Sequence, residues 1–278
     1  MDFNKTIDGI VKRVPNPIEE TYMDEDGFLR CKKCGGKRES ILSYRDRVSK
    51  VPCICECQKK IIENEREAEK RREKMRKVQE LKQTGFSSKQ MINWTFENND
   101  GSQPRVFHIA KKYVENFAEM RSMGKGLLFH GDVGAGKTYV AACIANALTD
   151  KGIPVMMTNF ARIANKLQER FDKRQSYLDS LSKFDLLVLD DLAAERSTEY
   201  MQEIVYTVID ERCRSGLPMI ITTNLSIEAI KNPQNTNDSR IYDRILEKCF
   251  PVEVIGDSHR RKNINDEYEN MRGLLGLN

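Results

Sequence analysis

The stretch GLLFHGDVGAGKTYVAACIANAL, residues 126–148, constrains this chain more than any other, because an apolar run, a glycine-rich turn and a helix-period apolar pattern follow without a break. Gly131, Gly136, Lys137 and Thr138 satisfy G-x-x-x-x-G-K-[ST], with a strand pattern before and a helix pattern after, the context in which that spacing grips phosphate. Glycines let backbone N–H groups turn toward phosphate oxygens, and a helix amino terminus adds partial positive charge. The Lys137 ammonium then reaches the β and γ phosphates while Thr138 ligates magnesium. The expected nucleotide-binding stretch is Gly131, Asp132, Val133, Gly134, Ala135, Gly136, Lys137, Thr138 and Tyr139, with ATP and Mg2+ as cofactors.

Further apolar runs alternate with helical patterns downstream: PVMMTN (154–159), FDLLVLDD (184–191), PMIITTN (218–224) and FPVEVIG (250–256). Runs that are continuously apolar, separated by helices, imply a parallel sheet covered on both faces. The expected fold is a doubly wound α/β domain over 85–278, its ligand lying beyond the carboxyl ends of the strands. There LLVLDD supplies Asp190 for magnesium and Asp191 to orient or deprotonate the attacking water. Asn224, closing IITTN, is an amide that can hold that water or the γ-phosphate. Arg240 and Arg244 stand one helical turn apart in SRIYDRILEKC, and Arg260, Arg261 and Lys262 follow in GDSHRRKN; arginine near a γ-phosphate stabilises transition-state charge and can come from a neighbouring subunit.

Five of the eight cysteines fall between Cys31 and Cys57, as CKKC followed by CICEC. Two short-spaced pairs brought together by a hairpin would hold a structural zinc; Cys31 and Cys34 form the first pair, and the second is drawn from Cys53, Cys55 and Cys57. Cys143, Cys213 and Cys249 lie in helix-period stretches and read as small apolar core residues. The chain divides into a zinc-binding module over 1–58, a charged helical linker over 59–84 and the α/β domain. Within the linker, Ile61, Ala68 and Met75 recur every seven residues, too weak a stripe for a coiled coil, so a solvated helix is expected, with Glu67–Arg71 and Glu73–Lys77 spaced for pairing. No apolar run of about 18 residues and no signal-peptide pattern is present, so the expectation is a cytoplasmic protein without membrane contact. The net charge of +4 permits contact with nucleic acid without requiring it.

Together GLLFHGDVGAGKTYVAACIANAL, FDLLVLDDLAAE, MIITTNLS and RIYDRI followed by DSHRRK resemble the AAA+ replicative helicase loaders of the DnaC/DnaI group and their IstB-type transposition relatives, over roughly residues 95–262. The resemblance implies an ATPase, slow and switch-like, that loads a replicative hexameric helicase onto single-stranded DNA. It makes Asn224 the sensor 1 position, Arg244 the arginine finger acting in trans between copies, with Arg240 second, and Arg260 the sensor 2 position. It favours Cys55 and Cys57 as the second zinc pair, leaving Cys53 spare, and gives the amino-terminal module the task of docking on the helicase. It also points ARIANKLQERFDKR at single-stranded DNA, through Arg162, Lys166, Arg170, Lys173 and Arg174 with Phe160 and Phe171 interleaved. Asp191 stands where many AAA+ proteins carry Glu, and the 23 residues from Gly256 onward are too few for a full helical lid, so the lid is expected to be reduced. The alternatives are a transposition accessory ATPase on duplex DNA and a small-molecule kinase, the latter disfavoured by the zinc module and by the lack of an acceptor-binding insertion.

Overall fold

A computed structural model gives the fold and describes residues 20–44, 47–86, 88–169, 174–193, 198–258, 264, 268 and 271–277. The chain separates into two compact units, Met1–Met75 and Arg76–Asn278.

Among its described residues the first unit holds two antiparallel hairpins. Strand β1 (Thr21–Met23) pairs with β2 (Leu29–Cys31), and β3 (Glu39–Tyr44) with β4 (Arg47–Pro52). The acidic turn between β1 and β2 is held by Asp24, which accepts from the Phe28 amide at 2.8 Å and pairs with Arg30 at 2.6 Å. Helix α1 (Glu56–Gly85) begins here. Its first twenty residues are mostly exposed, Ile61 and Met75 included, as a run of charged helix formers with no apolar stripe dictates.

In the second unit five parallel strands form one sheet: β5 (Gly126–Gly131), β6 (Val155–Asn159), β7 (Leu186–Leu192), β8 (Met219–Thr223) and β9 (Cys249–Val254), in the order β6-β7-β8-β5-β9. These are the five apolar runs of the sequence. Alternate residues feed two cores, Leu127, Phe129, Leu186, Val188 and Ile220 on one face and Leu128, Leu187, Leu189, Met219 and Ile221 on the other. The first face is covered by α2 (Pro104–Glu115), α3 (Phe117–Met123) and α4 (Lys137–Asp150); Ala141, Ala142, Cys143, Ile144 and Ala145 are fully buried, so α4 is enclosed on all sides. The second is covered by α5 (Phe160–Glu169), α6 (Arg174–Leu181), α7 (Glu199–Arg214), α8 (Ile227–Lys231) and α9 (Thr236–Lys248). Cys143 and Cys249 are buried and Cys213 half-buried, as core cysteines should be. Before α2, Asn146 of α4 clamps the incoming chain by donating to the carbonyls of Met91 (2.8 Å) and Trp94 (2.9 Å).

Candidate functional site: a phosphate loop beside a bulged acidic strand

The strand order sets the site. Because β8 lies between β5 and β7, the carboxyl end of β8 stands between the glycine turn that follows β5 and the acids that close β7. That is the position of Asn224, which is exposed just after β8. Within the turn, Gly131, Gly134 and Gly136 have φ of 126°, 84° and 97°, a region closed to most side chains, so the motif's glycines are required by the backbone path. The turn leads into the first residue of α4, Lys137, which is 5% exposed and donates from Nζ to the carbonyls of Gly131 (3.0 Å) and Asp132 (2.6 Å). The ammonium is thus fixed against the loop's own backbone, where a phosphate would meet it. Thr138 is half-buried on the same first turn.

Opposite, β7 ends in a bulge. Leu189 pairs with Ile221 and Leu192 with Thr223, so Asp190 and Asp191 together face Thr222 alone. The Thr222 hydroxyl fills both needs of the bulge: it donates to Asp190 Oδ1 at 2.7 Å and accepts from the Asp191 amide at 2.9 Å. Asp190 is buried and held; Asp191, at φ 56°, is turned out and half-exposed. Adjacent acids in a regular strand point to opposite faces and oppose two different partner residues, whereas the bulge sets both against Thr222. Thr222 went unread in the sequence, although a threonine in the buried run IITTN was the available signal.

On the flank of the loop lies a cleft of about 260 Å3 that the sequence did not reveal, with Asn98, Asn99, Phe107, Ala135 and Tyr139 in its wall. Tyr139 donates to the Thr95 carbonyl at 3.0 Å and its ring packs on Trp94 and Phe107. Gln103 ties the cleft to the end of β9, donating to Ile255 O at 2.6 Å and Ala135 O at 3.3 Å.

The arginines differ in setting. Arg244 pairs with buried Asp210 at 2.5 Å and donates to Tyr206 Oη at 3.2 Å, both on α7, whereas Arg240, one turn earlier, is exposed. Arg260, Arg261 and Lys262 lie outside the described residues, as do Arg170, Phe171 and Lys173. Of the segment expected on DNA, Arg162 and Lys166 are exposed and Arg174 pairs with Glu203 at 3.5 Å. Phe160 corrects the expectation: it is fully buried in the second core with Ile163, Ala164 and Leu167, and so has no face for a base.

In the first unit the sulfurs of Cys31, Cys34, Cys55 and Cys57 lie within 4.8 Å of one another. Gly35, at φ 67°, makes the knuckle turn, and a side chain at Gly36 would crowd Cys55 Cβ at 3.1 Å. Cys53 is elsewhere, its thiol donating to the Lys37 carbonyl at 3.4 Å. Burial works against a Cys55 thiolate, but the Gln58 amide and the neighbouring thiols outweigh it and bring the pKa down to about 6, while contact with Cys55, Cys34 and Cys31 pushes Cys57 up to about 12. Sulfurs this close cannot all ionise unless a cation sits among them. The donor set, four thiolates with no carboxylate, fits zinc in a closed structural site.

This is a P-loop nucleotide-binding unit of the AAA+ type, and solved structures agree: the fold matches the crystal structure of the DnaC helicase loader with a TM-score of 0.51 at 26% identity, covering 60% of this chain and 100% of that one. The crystal structure of the DnaI gives 0.52 at 24% identity, with 62% and 96% covered, a likeness of fold. Residues 49–266 match the IstB-like ATP binding protein family, and the chain belongs to that family. Among curated proteins it is 27% identical over 205 residues to the replicative helicase loader DnaI of Bacillus subtilis, an alignment spanning 68% of this chain and 65% of that protein. It is 28% identical over 184 residues to the replicative helicase loader DnaC of Escherichia coli K12, spanning 63% and 73%. Among the described residues no helix is long and apolar enough to cross a membrane.

Proposed function

We propose that this protein is an ATP-controlled loader of a hexameric replicative helicase onto single-stranded DNA. The observation that carries the reading is the presence, in a chain whose relatives are named replicative helicase loaders, of a phosphate loop facing the bulge-held Asp190 and of a separate four-cysteine module. In this reading the amides of the loop and Lys137 bind the triphosphate, Thr138 and Asp190 hold magnesium, Asp191 and Asn224 orient the attacking water, and the cleft beside Tyr139 takes the nucleoside end. Magnesium supplies neutralisation of the phosphate charge. Asp191, shorter by one methylene than glutamate, makes turnover slow and the nucleotide a switch between states. The zinc module over 1–58 docks on the helicase, the helix over 59–84 links it to the ATPase over 85–278, and Arg162 and Lys166 track the DNA backbone. Copies meet through an arginine. Arg244 can serve as the finger only by exchanging Asp210 and Tyr206 for a neighbour's γ-phosphate, while Arg240 is exposed for that contact, and Arg260 senses the phosphate in cis.

The test is an ATP-dependent complex with candidate helicases, read by size-exclusion chromatography. Lys137→Ala should abolish both the calorimetric heat of Mg-ATP binding and the nucleotide dependence of the complex. Undiminished affinity in that variant, or no complex with the cognate-type helicase, would defeat the reading. The family model's IstB description supports a second one, a transposition accessory ATPase. Preference for duplex over single-stranded DNA, with filaments in ATP, would select it.

A further inference from the structure

Beyond β9 the chain turns back over the phosphate loop. A Cβ on Gly131 would collide with the Val254 carbonyl, and one on Gly134 with the Ser258 side chain. Glycine at these places therefore admits the crossing backbone as well as the loop's own left-handed turn. Gln103, the residue before α2, joins the two segments, donating from Nε2 to Ile255 O at 2.6 Å and to Ala135 O at 3.3 Å. Gly256 leaves room for that amide, since a Cβ there would meet Nε2 at 3.0 Å.

The backbone of Gln103 is in the left-handed region, at φ 58° and ψ 45°. Its own Cβ and the Pro104 that follows both oppose this conformation. Strain of that kind persists only where the surroundings fix it, and it collects at ligand sites. Here it places the amide between the loop and the segment after β9, in the wall of the cleft beside Tyr139. The hold on Ala135 O also orients its neighbour. In a trans peptide the C=O and the next N–H point in opposite directions, so fixing Ala135 O aims the Gly136 N–H the other way. Gly136 is the residue before α4, at the helix amino terminus where phosphate binds.

We infer that Gln103 is a positioning residue, which aims a phosphate-binding amide of the loop and links occupancy of the loop to the order of residues 255–258. The inference rests on the reading of the loop as a nucleotide site. A triphosphate in the loop holds the Ala135–Gly136 peptide still, and the side chain that grips this peptide grips Ile255 O as well. The segment after β9 thus loses freedom when nucleotide binds, and a segment held in place favours the nucleotide in return.

Hydrogen–deuterium exchange of the full chain with and without Mg-ATP, beside calorimetry, tests it. In the wild type Mg-ATP should slow exchange of the amides over 255–258. This protection should vanish in Gln103→Asn, whose amide falls one methylene short, and in Gln103→Glu, whose ionised carboxylate repels both carbonyls. Both variants should bind Mg-ATP about three- to tenfold more weakly, as loss of one such hydrogen bond dictates. Gln103→Gly separates coupling from stability: it accepts φ 58° without strain, so the fold should survive while the protection is lost. Undiminished protection over 255–258 in Gln103→Asn and Gln103→Glu, or heat of Mg-ATP binding in the wild type with no change of exchange there, would overturn the inference alone. No heat of Mg-ATP binding in the wild type would overturn it together with the functional reading.

Discussion

Arg212 shows how far a single residue's role can lie from its apparent character. It sits in the charged stretch IDERCRSG, yet is 2% exposed and donates to the carbonyls of Pro218 (2.7 Å), Phe184 (2.9 Å) and Asp185 (3.1 Å), at the entries to β7 and β8. Burial lowers its pKa to about 10, which leaves it charged at neutral pH and solvated by backbone dipoles. Replacing it with Ala orphans these carbonyls and should cost about 2–4 kcal/mol in urea unfolding, with Lys recovering only part because it lacks the planar fork. Nucleotide affinity of the folded variant should be unchanged, since Arg212 is at the opposite end of the strands from the loop. The sequence held a clue: on α7 the spacing of Val205, Val208 and Ile209 puts Arg212 on the buried stripe.

At the scale of elements, the bulge in β7 ties both acids to one hydroxyl, that of Thr222. Thr222→Val keeps the shape of the side chain but removes the hydroxyl that holds Asp190 and accepts from Asp191. The expected outcome is an ATP turnover lowered about tenfold, from the roughly 1–3 kcal/mol of an unmet buried polar group, with the heat of ATP binding largely kept. Equal loss of binding and turnover would mean the bulge matters only for folding. Helix α5 shows the reverse case, in which sequence order misleads. Phe160 stands among cations in the chain, but its spacing to Ile163, Ala164 and Leu167 is that of one helical face, and burial claims that face before any ligand can.

Over the whole molecule, the two units depend on different sources of stability. The second has two extended apolar cores, whereas among the described residues of the first the buried apolar side chains are Cys31, Val51 and Cys55. So small a core needs a staple. Chelation should therefore release zinc and melt the hairpins of the first unit, read by circular dichroism, while the second still binds Mg-ATP. Cys55→Ser should act like the chelator and Cys53→Ser should leave the metal in place; zinc lost from Cys53→Ser would undo the assignment.

The sequence by itself determined the strands, the glycine turn and the cysteines, because apolar period, left-handed φ and thiol spacing are local properties that neighbouring residues settle among themselves. It thereby also supplied the family likeness. Tertiary structure alone decided that β8 stands between the loop and the acids, that Thr222 divides the work of Asp190 and Asp191, that Arg244 is bound to Asp210, and that Phe160 is core. Each of these is a meeting of residues distant in the chain or a competition for one buried face, and only packing resolves which partner wins.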